Sequence, residues 1–454
     1  MLEPLDRIRS AWRAAATTRG ERLLVLDRRL SELPAAVRAL PHQWLGHMSP
    51  GCAATHGIHE ACDFGCTACY LGSDANTARP LEFDEIAAQL DAIRAYTGPG
   101  GNVQITSGEV TLLERHALSR IVRHARDIGL DPMVMSHGQR FDQDPSYLEH
   151  LMRDAGLQKI GIHIDSTQRG RRGTTSDTTE TELMAVRDRM AALIRKLRLA
   201  TGQQLYAAHT FTVSDDNLDE VPAVMRWTAD NADAFRMISF QPTARVGRTR
   251  APGQTHRMDA LWERICEGLG AELNPHTFVF GHPDCNRVGL AFVCRFGDET
   301  RVMEVRREGA PADGAFLARL IEGGFRGYSP DGDSTLQSLV KALQLVLESP
   351  RYLWQWPRYV ASRVLQERAW TARFAAAVLR GEPWSVQPLV VVVHRFMDAT
   401  ELGTEDGQAR LAACAFKVPV QGRMVSMCEL NATGLRAGLH PGSGRRVRLK
   451  TVAA

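Results

Sequence analysis

A chain of 454 residues, 44% hydrophobic and 24% charged, is long enough for two or three domains and apolar enough to bury a large core. Its formal charge of +3 is negligible at this size and gives no support to a nucleic-acid partner, so the basic runs at 169–172 and 444–450 read as solvated faces. No stretch is apolar over the length of a bilayer span and the N-terminus lacks the apolar core of a secretory signal.

A cytoplasmic protein is therefore expected, with peripheral membrane contact left open. Its nine cysteines would stay reduced there, which favours metal binding or catalysis over disulfides. Residues 1–56 carry apolar residues at helical spacing, broken by prolines, and predict a helical N-terminal lead. From 57 to 250 short apolar strands alternate with amphipathic helices. The predicted strands lie at 102–108, 132–138, 159–166, 204–213 and 236–244, with one more just before a cysteine loop at 62–69. Such alternation implies parallel strands joined by right-handed crossovers. About six units predict an α/β fold, a partial (β/α)6 barrel. Several strands end in polar residues (TSGE, SHG, HIDS), at the strand ends where barrel sites are built. Residues 251–454 mix strands (HTFVFG, LVVVVHRF) with long helical runs at 334–349 and 358–381, and predict a separate α+β domain.

The loop CDFGCTACYLG (62–72) places Cys62, Cys66 and Cys69 at C-x3-C-x2-C. Single buried cysteines behave as small hydrophobes, but three together beside glycines, with no apolar run following, point to metal. A closed zinc site needs four ligands, and His42, His47, His56 or His59 could supply the fourth; that keeps a zinc-stabilised, non-enzymatic binding protein in view. Three thiolates equally suit three irons of a cubic cluster, with the fourth iron open to a small ligand. Downstream, Cys285, Cys294, Cys414 and Cys428 are enough for one fully ligated cluster. Cys285 follows His-Pro-Asp in a loop, whereas Cys294 ends an apolar strand. Cys52 and Cys266 are left over.

The first loop resembles the signature of the radical S-adenosylmethionine (SAM) superfamily, with Ala68 and Tyr70 flanking the third cysteine. SGEV (107–110) is similar to that family's GGEP element, SHG (136–138) to its TNG turn, HIDS (163–166) to its SLDG strand end, and TVSDDN (212–217) to TV-x3-N on the fifth strand. The five occur in the family's order across 57–250. The resemblance implies a [4Fe–4S] cluster with an open iron on Cys62, Cys66 and Cys69, and SAM bound to that iron. Reductive cleavage to a 5′-deoxyadenosyl radical and hydrogen abstraction from an unactivated carbon would follow. It further implies that Ser107, Gly108 and Glu109 orient the cofactor's amino group. Ser136, His163 and Asp165 would serve its ribose or carboxylate, with Tyr70 alongside.

Longer segments, ISFQPTARVGR (238–248), HPDC (282–285), HRFMDA (394–399) and ACAFKVPVQGRMVSMCELN (413–431), look like the archaeal tetraether lipid synthases and their bacterial relatives. That likeness implies an auxiliary-cluster and substrate domain at 251–454, with a second [4Fe–4S] cluster on Cys285, Cys294, Cys414 and Cys428. It also implies a small-molecule or lipid substrate, C–C bond formation, and a reducing partner such as flavodoxin or ferredoxin. A peptide-modifying maturase of the same superfamily is the competing expectation. Against it, the N-terminal lead is short for a peptide-docking element.

Overall fold

The chain is seen in a computed structural model that describes residues 2–249, 258–307, 309, 310, 313–317, 347, 350, 352–433 and 435–439. Six strands follow one another as parallel neighbours: β1 Cys52–Ala54, β2 Asn102–Ile105, β3 Asp131–Ser136, β4 Lys159–His163, β5 Tyr206–Val213 and β6 Phe235–Pro242. Between β1 and β6 the returning helices include Phe83–Thr97, Arg115–Asp127, Pro145–Ala155, Glu180–Thr201 and Val221–Asp230. Alternation along the strands turns Ile160 and Ile162 of β4 toward the helices, where they share one core with Leu90, Val122, Leu151 and Ile194. His163, the next residue along, faces the opposite side and lines the lumen. Helix ends are written locally: Thr179 and Glu182 form a capping box, and Gly202 closes the same helix with φ 67°.

The described residues beyond 250 do not build a sheet of their own. β7 Asn286–Phe296, β8 Glu299–Glu304, β9 Trp384–His394, β10 Phe416–Val420 and β11 Arg423–Ser426 all enter the first sheet. β9 joins β6 in parallel and β10 joins β1 in parallel. The result is one curled, open, partial barrel of order β11-β10-β1-β2-β3-β4-β5-β6-β9-β7-β8. The edges of the six-strand unit would otherwise expose unpaired backbone, and the later strands cover both. The expected strand HTFVFG makes only isolated bridges, Phe278 to Val288 and Val279 to Gln43. The helical run at 334–349 (residue 347 aside) and the basic run at 444–450 lie outside the described residues.

The N-terminal lead is a helix, Leu2–Glu32, followed by the short helix Ala35–Arg38. Leu33, Val37 and Leu45 pack there against Ala413 and Ala415. Residues 395–415 connect the C-terminal end of β9 to the N-terminal end of β10, and so run along the open side from one end of the barrel to the other. Arg410 pins this crossing from inside: it is 1% exposed and donates to Glu401 Oε2 (2.6 Å) and to the Arg395 carbonyl (3.1 Å). Among the described residues no helix is long and apolar enough to cross a membrane.

Candidate cluster and cofactor site

The cysteine loop is held by the ends of four strands. On one side the SGE turn after β2 lies flush against the chain entering the loop: Gly108 N–H donates to the His59 carbonyl (2.9 Å) and Glu109 N–H to that of Ala61 (2.9 Å). A Cβ on Gly108 would stand 2.1 Å from the Glu60 carbonyl oxygen, so only glycine permits this approach. On the other side Gly65 N–H donates to the Arg169 carbonyl (2.8 Å) and Thr67 N–H to that of Thr167 (2.9 Å). Cys69 N–H donates to Thr249 Oγ1 (2.9 Å).

Held this way, Cys62, Cys66 and Cys69 line a single cavity of about 190 Å³, together with Ser107, Glu109 and His163. Burial pushes the Cys62 and Cys66 thiols up to about 12, and the charge of the neighbouring cysteines adds to the effect. Such thiols give up their protons when a metal compensates the charge, so the donor set fits a cationic centre. Cys62, Asp63 and His137 could also meet one ion, since their ligating atoms lie within 4.8 Å of one another. Among the described residues the three thiols form no such tight group. Wider spacing suits a cluster, in which each thiolate binds a different iron.

Glu109 is buried. One of its carboxylate oxygens accepts from Thr111 N–H (3.0 Å) and hydroxyl (2.5 Å), the other from His137 N–H (2.9 Å). His137 Nε2 bonds Asp63 Oδ1 at 2.8 Å, and its ring stacks on Phe64 with centroids 3.8 Å apart. His137 thus ties the cysteine loop to Glu109. The remaining predicted residues divide in two. Ser107, Gly108, Ser136, His163 and Tyr70 line the cavity. Asp165 stands behind it, spending its oxygens on His163, Thr167 and the Thr212 N–H, which fixes the His163 ring. Burial opposes ionisation of Asp165, yet the His163 charge and these donors hold its carboxyl well below the usual range. Tyr70 donates to the Ser107 carbonyl (2.5 Å) and lies under the Arg436 guanidinium at 4.8 Å.

A second cavity, of about 330 Å³, continues into the barrel and shares Gln104, Met135, Thr210, Gln241, Phe396 and Phe416 with the first. Most of its wall is apolar, from residues such as Met133, Met237, Val288, Leu290 and Val390. Cys285, Cys414 and Cys428 line it too. Cys285 accepts from Arg410 Nε (3.4 Å), Cys414 from Ser426 Oγ (3.1 Å), and Cys428 from Met397 N–H (3.5 Å). Burial raises Cys428 to about 12, and the charges of Cys414 and Cys285 contribute. Cys294 is not with them. It sits in the ladder opposite Arg301 and Val386, and burial alone raises its thiol to about 12. At about 3.3 Å per residue, the strand between carries it about 30 Å from Cys285. Cys52, left over in the sequence, lines the second cavity, while Cys266 is core.

Sequence reasoning missed three contributors: His137, Arg248 and Thr249. All lay inside or beside quoted motifs, but nothing in their spacing marks them. They reach the loop from turns after β3 and β6.

No protein-family model matches the chain. A 7,8-dihydro-6-hydroxymethylpterin dimethyltransferase from Methanocaldococcus jannaschii is 25% identical over 211 residues, 44% of this chain and 38% of the relative's length. Among solved structures, Streptococcus suis SuiB bound to S-adenosylmethionine is similar at 13% identity and TM-score 0.37, covering 48% of each chain. Native anSMEcpe with AdoMet and the Cp18Cys peptide is similar at 11% identity and TM-score 0.34, over 47% of this chain and 56% of that one. Methylornithine synthase is similar at 14% identity and TM-score 0.33, over 54% and 69%. Scores this low carry no weight for the fold, which rests on the strand order.

Proposed function

We propose that this chain is a radical SAM enzyme that removes a hydrogen atom from an unactivated carbon of an aliphatic or lipid substrate, with C–C bond formation as the outcome. One observation carries the reading: three cysteines of one loop line a single cavity with Glu109 and His163, at the C-terminal ends of a partial parallel barrel. Cys62, Cys66 and Cys69 would hold three irons of a [4Fe–4S] cluster, Glu109 the amino group of SAM, and Ser136 and His163 its carboxylate or ribose. Bound there, the cluster and SAM would supply reductive C–S cleavage and hydrogen-atom abstraction, with flavodoxin or ferredoxin as the source of the electron.

The chain's own residues prepare that event. Thr111 and His137 orient Glu109 before any ligand arrives, and Asp165 with Thr212 fixes His163. The apolar second cavity keeps water from the reacting carbon and offers an alkyl chain a matching wall. Cys285, Cys414 and Cys428 would hold an auxiliary cluster through three thiolates.

Two other readings have something behind them. A peptide-modifying maturase is in keeping with the Cp18Cys peptide that anSMEcpe holds beside AdoMet. A zinc-stabilised binding protein is favoured by the Cys62, Asp63 and His137 group. Anaerobic reconstitution, metal and sulfide analysis, and mass spectrometry of lipid and peptide extracts treated with SAM and a reductant test all three. Iron with sulfide, 5′-deoxyadenosine and a mass change in lipid support the proposal. A mass change confined to peptides selects the maturase, and zinc without sulfide removes the radical chemistry altogether.

A further inference from the structure

Among the described residues one cation bonds a sulfur of the first thiol loop. Arg248 lies in the turn after β6 and is the one Arg or Lys among the described residues lining the first cavity. Its Nε donates to Cys69 Sγ at 3.2 Å and its Nη2 to the Phe64 carbonyl at 3.0 Å. Its backbone N–H donates to the carbonyls of Cys69 (3.0 Å) and Leu71 (2.8 Å). Gly247, with φ +56°, makes that seating possible: a Cβ there would stand 2.3 Å from the Tyr70 backbone. The cavity's other nitrogen-bearing rings are engaged, His137 with Asp63 and His163 with Asp165.

We propose that Arg248 sets the redox poise of the cluster site, by donating an N–H to the Cys69 sulfur and holding a positive charge in the wall of the cavity that the three cysteines line. The inference rests on the radical SAM reading of that site. Adding one electron to a thiolate-bound cluster adds a negative charge, and hydrogen bonds to sulfur and local net charge are among the main determinants of its potential. A charge-assisted N–H to sulfur stabilises the more negative, reduced form. The planar fork matters because two nitrogens work at once, one on sulfur and one on the loop backbone; lysine offers a single point charge. Arg248 is thus a positioning and tuning residue, not a catalytic one.

The test is an EPR-monitored redox titration of the full reconstituted chain without SAM, using dithionite and mediators. The signal followed is the one absent from the C62A/C66A/C69A variant. At the wild-type midpoint, R248Q should lower the ratio of reduced to oxidised cluster about tenfold, a shift of about 59 mV to more negative potential for one electron. R248K, which keeps the charge and loses the fork, should fall between. Should R248Q fail to assemble a cluster, R248K against wild type decides alone. An unmoved midpoint in variants with wild-type iron content overturns the proposal while sparing the radical SAM reading. Absence of iron from the wild-type loop overturns both.

Discussion

At Gly108 a missing side chain decides the geometry of the site. The turn after β2 meets the chain entering the cysteine loop at a distance no Cβ tolerates. G108A should therefore push the two segments apart and lower the iron and sulfide held by the first loop after reconstitution. Wild-type content would show that the cradle yields without consequence. Glu109 is the second decisive residue. A charge-assisted hydrogen bond contributes roughly 1.5–3 kcal/mol, so E109Q should weaken SAM binding by about ten- to a hundredfold in calorimetry. Unchanged affinity would mean that its bonds to Thr111 and His137 are its whole task. The three cysteines and Glu109 are legible in the sequence because their chemistry sits within short contiguous motifs. Arg248 and Asp165 show the limit of that reading. The contact of Arg248 with Cys69 spans two distant loops, and Asp165 turns its oxygens toward partners rather than into the cavity.

Among the elements, β5 is the most deeply set, with all eight residues buried. His209 lies in its middle. Its Nε2 is 3.0 Å from the Ile164 carbonyl, and its ring edge meets Phe211, Trp227 and Phe235. Burial first, and then the charge of Arg187, push its pKa down to about 3. In the unfolded chain the ring titrates near 6.5. Between those values the unfolded state holds a proton that the folded state does not, so stability falls as pH drops from about 6.5 toward 3. H209Q keeps a donor for Ile164 and removes the titration. Urea midpoints at pH 7.5 and pH 5 should differ more for wild type than for the variant, and equal losses would assign the acid sensitivity to other groups. The strands β2 to β6 were readable because each has an apolar run bounded by polar ends. The edge partners were not. Nothing in FKVPV announces that it will lie beside Cys52, because strand pairing between distant segments leaves no local trace.

For the molecule as a whole, the late part of the chain completes the early part. Arg436 and Glu60 form a buried ion pair at 3.1 Å, with side chains 4% and 1% exposed, and so tie the C-terminal helices to the entrance of the cysteine loop. R436A should cost up to about 3–5 kcal/mol in denaturant unfolding, because it removes one partner of a buried ion pair; a change below about 1 kcal/mol would mean that the other donors to Glu60, Gly57 N–H and Ser107 Oγ among them, suffice. The downstream cysteines test a second long-range contact. In the C62A/C66A/C69A background about four irons per chain should remain. Adding C294A should leave them in place, whereas adding C285A should release them. Retention in both would show that Cys285 is not a ligand.

The register of β10 against β1 also bears on how the molecule comes into being. Cys52 opposite Phe416 means that the first barrel strand obtains one of its two neighbours only after about 360 further residues have left the ribosome, roughly 20–70 s at ordinary rates of synthesis. The cysteine loop begins a few residues beyond that strand. Its thiols thus wait, for most of translation, beside an unfinished wall, so a cell that loads iron here must shelter the nascent segment or deliver the metal after release.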